Sequence, residues 1–143
     1  MTTIFSPTEI DAMCRLVGTT RAELLEALRR VGSAALPPKQ RSLWNAESPC
    51  NQFCYRVSEA VVRSSRIPKG YQLHRKADAT GSHYFFLHSS SGAILDLTAD
   101  QFVAPDGTPT GYDYSGATPR SLLPQVSRGA VMVAEALGWS FPK

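Results

Sequence analysis

The segment SHYFFLHSSSGAILDLT, residues 82–98, contains two short apolar runs separated by a turn rich in serine and glycine. Aromatic and branched side chains alternate with polar ones in these runs, which is the pattern of half-buried β-strands. A loop of small residues between two such strands is typical of a β-hairpin. The segment therefore predicts an antiparallel sheet.

The length of the hairpin loop determines which side chains share a face of that sheet. With an even number of loop residues, Phe85 lies opposite Asp96 and His83 lies opposite Thr98. His83 and Asp96 are then diagonal neighbours on one face, where an imidazole and a carboxylate can hydrogen-bond. An odd loop would move Asp96 to the other face, so this prediction depends on the loop length.

Before the hairpin, the segment ESPCNQFCYRVSEAVV, residues 47–62, predicts an amphipathic helix. Its apolar residues recur at the spacing of one helix face. Ser48 is the predicted N-cap and Pro49 the first helical residue, which puts Cys50 in the first turn and Cys54 one turn further on. We expect this helix to be central and to pack on the sheet.

The N-terminal part of the chain predicts two further helices. In SPTEIDAMCRLVG, Ser6 and Glu9 form a capping box, and TTRAELLEALRRVG repeats the scheme. Residues 1–40 are therefore predicted as a helical hairpin with its connector, and residues 41–143 as the main core. A DNA-binding helix-turn-helix is an alternative, but the sequence has no evident third helix or base-reading face.

Composition and charge narrow the class of protein. The 143 residues fit one domain, and the 43% hydrophobic and 19% charged residues are typical of soluble globular proteins. With no basic leader and no apolar stretch of membrane length, we expect a cytoplasmic protein that does not act at a membrane. A net charge of +3 from dispersed basic residues makes nucleic acid an unlikely partner.

The three cysteines, Cys14, Cys50 and Cys54, allow several roles. An odd number without a secretion signal disfavours a disulfide framework. A zinc site would recruit His83 and His88, but residues five apart in a strand point to opposite faces. We therefore expect no metal or other cofactor. Cys14 is predicted to be buried, and a nucleophilic role stays open for the other two thiols.

A cysteine near a helix N-terminus, His83 on one strand and Asp96 on the next form a combination typical of nucleophilic catalysis. A thiol must ionise before it attacks, and a helix dipole and an adjacent imidazolium both favour the thiolate. The histidine transfers the proton, and the carboxylate fixes its tautomer and orientation. By helix position alone, Cys50 in the predicted first turn is the stronger nucleophile candidate.

The sequence NQFCYRVSEAVV resembles the start of the central helix of papain-like cysteine enzymes, where Cys precedes Trp or Tyr and a Ser-containing apolar run. The order Cys, His, Asp also matches. The stretch GSHYFFLHSSSGAILDLTADQF further resembles a poorly characterised group of small bacterial and phage proteins. Together these resemblances cover about residues 44–104. They imply an α+β fold in which a central helix packs on a small antiparallel sheet, as a minimal papain-like core.

The resemblance also implies residue roles. It favours Cys54 as the nucleophile, with His83 and Asp96 completing a catalytic triad and Cys50 as a neighbouring or resolving thiol. Gln52 is the candidate oxyanion donor, although the amide of papain-like proteases lies further upstream. The implied reaction cleaves an amide, isopeptide or thioester bond of a peptide or acyl conjugate through an acyl-cysteine. The alternative is a non-catalytic bacterial or phage interaction module on a degenerate papain-like core.

The C-terminal part offers fewer signals. Thr98 is expected to cap a short helix, with Gln101 at the capping-box position. A long loop follows, which we expect to border a cleft. The segment SRGAVMVAEALG then predicts a closing helix that ends at Gly138. The candidate substrate-binding residues are Tyr84, Tyr112 and Tyr114.

Overall fold

The structure, a computed structural model, describes residues 2–78, 81–104 and 106–142. These residues form an α+β fold, as expected. The helices are α1 (Pro7–Leu16), α2 (Arg21–Val31), α3 (Pro38–Arg41), α4 (Cys54–Arg63) and α5 (Arg128–Leu137). The strands are β1 (Tyr71–Asp78), β2 (Gly81–His88), β3 (Ile94–Leu95) and β4 (Thr118–Pro119). Short 3-10 helices cover Gly32–Ala35 and Ala99–Phe102.

Helices α1 and α2 form the predicted N-terminal pair. The Glu9 carboxylate accepts a hydrogen bond from the Ser6 N–H at 2.8 Å, and the Ser6 hydroxyl accepts from the Glu9 N–H at 3.1 Å. The predicted capping box is therefore confirmed. Thr20 caps α2 by accepting from the Glu23 N–H at 3.1 Å. Between the helices, Gly18 adopts a φ of 88°, which glycine tolerates best.

Helix α4 begins later than the sequence pattern predicts. Ser48 and Pro49 do not start it, because the helix begins at Cys54 and residues 49–52 form turns. Gln52 adopts a φ of 75°, a left-handed conformation that a right-handed helix does not contain. Cys54, and not Cys50, therefore lies at the N-terminus of α4.

The sheet confirms the predicted register of the hairpin. Its strands lie in the order β3-β2-β1-β4, and neighbouring strands are antiparallel. Phe86 pairs with Leu95 and Leu87 with Ile94, which is the register of an even loop. β3 ends at Leu95, so Asp96 directly follows the strand. The sequence pattern predicts neither β1, which is the other neighbour of β2, nor β4.

Helix α4 is central to the hydrophobic core. It contacts both β2 and α5, and its residues Val57, Ala60 and Val61 are almost fully buried. One buried hydrophobic cluster includes these side chains together with Ile10 of α1 and Leu28 of α2. The N-terminal hairpin therefore shares its core with the remainder of the chain.

A buried carboxylate joins α4 to α5. Glu59 is fully buried and accepts from the Ser127 N–H at 3.0 Å, from the Ser127 hydroxyl at 2.7 Å and from the Arg63 Nε at 2.7 Å. Ser127 is the N-cap of α5, and its hydroxyl oxygen accepts from the Ala130 N–H at 3.2 Å. These bonds fix the start of α5 against α4.

The helix predicted after Asp96 is a 3-10 helix, and its predicted capping box is wrong. The Thr98 side chain makes no cap. Instead its hydroxyl donates to Asp96 at 3.3 Å and accepts from the Gln101 Nε2 at 3.1 Å. The hydroxyl is therefore engaged by two side chains and not by the backbone N–H that a cap would bind.

Helix α5 closes the described chain as expected. Gly138 follows it at a φ of 75°, the left-handed conformation typical of glycine at a helix C-terminus. No helix within residues 2–78, 81–104 and 106–142 combines the length and the apolarity that crossing a membrane would require.

Candidate active site

An open cleft of about 660 Å³ lies at the N-terminus of α4, beside the start of β2 and the 3-10 helix Ala99–Phe102. Five of the residues proposed from the sequence line it, namely Gln52, Cys54, His83, Tyr84 and Tyr112. The other lining residues are Gln40, Asn51, Tyr55, Arg56, Gly81, Ser82, Gln101, Phe102 and Leu123. The fold therefore brings the predicted thiol and imidazole to one surface.

His83 and Asp96 form the hydrogen bond that the hairpin register predicts. The His83 Nε2 lies 2.7 Å from the Asp96 Oδ2. His83 is 4% exposed and Asp96 is fully buried, so water does not compete for this contact. The bond occupies Nε2 and leaves Nδ1 as the nitrogen available to the cleft.

Two further residues orient the Asp96 carboxylate. Its Oδ1 accepts from the Thr98 N–H at 3.1 Å and from the Thr98 hydroxyl at 3.3 Å. Its Oδ2 accepts from the Tyr114 hydroxyl at 2.6 Å. Burial and the charge of Asp96 raise the pKa of Tyr114, which keeps this hydroxyl a neutral donor. A buried carboxylate with several donors remains a stable partner for an imidazolium.

The environment of His83 favours its charged form. Burial is the largest effect and by itself lowers the pKa of His83. The charge of Asp96, its hydrogen bond and a hydrogen bond with Cys54 outweigh burial and raise the pKa to about 10. The imidazolium is therefore the expected form at neutral pH.

Aromatic rings enclose the imidazole of His83. The ring centroids of Phe102 and Tyr112 lie 5.0 Å and 4.9 Å from it, and those of Phe85 and Tyr114 lie 5.9 Å and 6.0 Å away. These contacts restrict the rotation of the imidazole and exclude water from its Asp96 side.

Cys54 is the cysteine that faces the histidine. It is the first residue of α4 and is partly exposed in the cleft. Its Sγ lies 3.6 Å from the carbonyl oxygen of Ser82, the residue before His83. No side chain caps α4, so the first-turn N–H groups of this helix end at the cleft. The helix dipole and the imidazolium of His83 both favour negative charge at this position.

Gln52 also lines the cleft, two residues before Cys54. The Gln52 Nε2 makes one long contact, 3.4 Å, to the Asn51 Oδ1. The left-handed backbone of Gln52 costs energy in a residue other than glycine. The Gln52 side chain and the N–H of Cys54 therefore both lie at the cleft end of α4.

Two residues expected near the reaction lie elsewhere. Cys50 is 1% exposed in the hydrophobic core, and burial raises its pKa well above the usual range. It is therefore a packing residue and not a neighbouring or resolving thiol of the cleft. Tyr114 is buried behind Asp96 and orients that carboxylate, and it does not line the cleft. Cys14 is buried as expected.

Gln101 and Thr98 are site residues that the sequence pattern does not identify. The Gln101 Nε2 lies 3.5 Å from the His83 Nδ1 and 3.1 Å from the Thr98 hydroxyl. Both residues are conspicuous in the sequence only as candidates for helix capping. Thr98 and Gln101 lie three residues apart and follow shortly after Asp96. This proximity is the signal that could have associated them with the carboxylate.

The histidine pair of the considered zinc site does not converge. Nδ1 of His88 accepts hydrogen bonds from its own turn, from the N–H groups of Ser90 and Ser91. Among the residues that the structure describes, no three potential metal ligands come together.

Comparison of the chain with protein-family models, curated proteins and solved structures gave no match.

Proposed function

We propose that this chain is a cysteine-dependent hydrolase or acyltransferase that cleaves an amide, isopeptide or thioester bond through an acyl-cysteine intermediate. The observation that carries this proposal is the 2.7 Å bond between His83 and Asp96, behind a cleft that exposes Cys54 at a helix N-terminus. A nucleophile, a proton-transfer group and a group that orients it are the three parts of such a site.

The proposed reaction begins when the Cys54 thiolate attacks the carbonyl carbon of the substrate, forming a C–S bond. The negative charge moves to the carbonyl oxygen, where Gln52 and the N–H of Cys54 can donate hydrogen bonds. The His83 imidazolium then gives its proton to the departing nitrogen or sulfur atom as that bond breaks. The neutral imidazole next removes a proton from water or an acceptor amine, which attacks the thioester and releases Cys54.

The order of parts supports a papain-like core within this proposal. A central helix presents the cysteine at its first residue, and an antiparallel sheet follows with histidine on β2 and the carboxylate after β3. Ser82, whose carbonyl oxygen the thiol contacts, follows Cys54 by only 28 positions, so the core would be a compact version of that arrangement.

The function is tested by incubating the chain with a panel of peptide esters, amides and thioesters and measuring intact mass. We expect a mass increase equal to one acyl group on Cys54, lost in Cys54→Ala and retained in the matched variant Cys50→Ala. His83→Ala should slow its formation, because the proton donor is removed. If no substrate of the panel yields an acyl-enzyme, the result favours the rival function, a non-catalytic interaction module.

Thiol reactivity gives a test that does not depend on the substrate. Iodoacetamide at pH 6 should alkylate Cys54 much faster than free cysteine, and His83→Ala should slow this reaction. Peptide mapping identifies the modified thiol. If Cys54 reacts only after denaturation, the nucleophile assignment is wrong.

A further inference from the structure

The described part of the cleft lining carries cationic side chains and no carboxylate. The described lining residues include no aspartate or glutamate, whereas Arg56 contributes a guanidinium and His83 an imidazolium. Asp96, the nearest carboxylate of the site, lies behind the imidazole and is already bonded to it. A negatively charged ligand would therefore meet attraction in this cleft, opposed among the described lining residues only by the proposed Cys54 thiolate.

Arg56 lies two residues after Cys54 on α4 and has a donor without a partner. Its Nε is buried and forms no hydrogen bond with any described residue, and none of the ion pairs among the described residues includes it. Its guanidinium lies 5.6 Å from the centre of the Tyr55 ring. A buried, unsatisfied donor on a charged group is costly, so its retention indicates an external acceptor.

Gln40 gives a second, independent observation in the same cleft. Its Oε1 is likewise buried and has no hydrogen-bond partner among the described residues. The cleft thus contains two polar groups that the described chain does not satisfy.

Basic residues also lie around Tyr84, on the β2 side of the cleft. Burial raises the pKa of Tyr84, while the positive charges of Arg75 and Arg120 act to lower it. The Arg75 Nε donates to the Ser82 hydroxyl at 2.8 Å, which holds this guanidinium next to the residue that Cys54 contacts. Arg75 therefore adds positive charge on the sheet side of the cleft, although it does not line the cleft itself.

We propose that Arg56 binds a carboxylate of the substrate, so that the cleft selects acyl compounds that carry a negative charge close to the bond being cleaved. This inference rests on the proposed function. A guanidinium matches a planar carboxylate through two parallel hydrogen bonds, which a lysine ammonium cannot form. Cys54 and Arg56 both line this cleft, so the carboxylate and the reacting carbonyl of such a substrate would occupy the cleft together.

Two alkylating reagents of nearly equal size test the inference. Iodoacetate carries a carboxylate and iodoacetamide a neutral amide, and both react when the Cys54 sulfur forms a C–S bond as iodide leaves. The ratio of their rate constants, iodoacetate over iodoacetamide, is measured for Cys54 at low salt and for 2-mercaptoethanol in the same buffer. We expect the protein's ratio to exceed that of the small thiol by about tenfold, as one hydrogen-bonded ion pair provides.

Variants distinguish the effect of Arg56 on this ratio from the effect of the protein's overall charge. Arg56→Gln should lower the ratio most of the way to that of 2-mercaptoethanol, with the His83 imidazolium accounting for any remainder, and Arg30→Gln, which removes an exposed arginine of α2, should not change it. If Arg56→Gln does not fold, Arg56→Lys provides the test. It retains the charge but loses the paired geometry, so its ratio should lie between the two limits.

The outcomes distinguish this inference from the proposed function. If Cys54 reacts with neither reagent in the folded protein, the proposed nucleophile fails. If Cys54 reacts with both at the ratio of the small thiol, or if Arg56→Gln and Arg56→Lys leave a raised ratio unchanged, only the carboxylate site is refuted. High salt should also lower a raised ratio, because the attraction is electrostatic.

Discussion

Replacing Asp96 by asparagine should change how the stability of the protein depends on pH. The charge and hydrogen bond of Asp96, together with Cys54, outweigh burial and raise the pKa of His83 from 6.5 to about 10 in the folded state. Between these two values His83 binds one more proton in the folded chain than in the unfolded chain. The measurement uses the Cys54→Ala background, because a folded-state thiolate would release a proton and offset the one that His83 gains. The stabilisation from the charged His83 is therefore complete below pH 6.5 and is lost as the pH rises through about 10.

The size of the effect follows from this one proton. A difference of one bound proton changes the free energy of unfolding by about 1.4 kcal/mol per pH unit. Because the unfolded histidine is half-titrated at pH 6.5, the expected loss between pH 6.5 and pH 8 is about 1.5 to 2 kcal/mol. Measurements above pH 8 are less specific, because burial also raises the pKa values of Cys14 and Cys50.

The assay is urea unfolding at pH 6.5 and pH 8 at constant ionic strength. The free energy of unfolding of Cys54→Ala should fall by the stated amount, and adding Asp96→Asn should remove most of the fall. Adding His88→Gln instead is the matched control, since His88 lies on a different part of the sheet and its removal should leave the fall intact. Equal stability of Cys54→Ala at both pH values, or an unchanged fall after Asp96→Asn is added, would refute the assignment of an imidazolium paired with Asp96.

Three other substitutions test the described packing. Cys50→Ala should lower the free energy of unfolding by about 1 to 2 kcal/mol, because it removes a buried side chain, yet leave the alkylation of Cys54 unchanged in rate. Gly129→Ala should destabilise by about 1 to 3 kcal/mol in urea unfolding, since its new Cβ would overlap the backbone carbonyl oxygen of Ala35. Tyr114→Phe should lower the free energy of unfolding by about 1 to 3 kcal/mol, because it deprives Asp96 of a charge-assisted hydrogen bond. An unchanged free energy of unfolding in the same assay would mean that this bond contributes nothing to folding.

Features set by neighbouring residues could be predicted from the sequence. The Ser6 and Glu9 capping box depends on side chains three residues apart, and its residue types specify its geometry. The pairing of Phe86 with Leu95 depends on loop length and alternation, both of which are visible in the sequence. The contact between His83 and Asp96 followed from that register.

The start of α4 could not be predicted because the buried apolar residues continue on the N-terminal side of the helix, before its first residue. Cys50 and Phe53 are both buried, so the apolar spacing of α4 extends into the preceding turn. The break comes from the left-handed backbone of Gln52, a residue type that does not indicate such a conformation. Helix position therefore pointed to Cys50, and only the resemblance pointed to Cys54.

Contacts between distant segments explain the other differences between the predicted and the observed structure. Strand β1 carries His74, Arg75 and Lys76 in succession, so its sequence lacks the alternation of β2, and pairing with β2 and β4 holds it in place. Tyr114 reaches Asp96 only because of the path of the long loop after the 3-10 helix. A loop path depends on tertiary packing, which spacing along the chain does not encode.

The ring enclosure of His83 gives protons a single route in and out of the site. Nε2 is bonded to Asp96, and the rings of Phe85 and Tyr114, neither of which lines the cleft, lie beside the imidazole. Exchange with solvent must therefore pass through Nδ1, at the surface where Cys54 lies. In the proposed reaction, a substrate that fills the cleft would close this route, so that the proton held by His83 would pass to the substrate and not to bulk water.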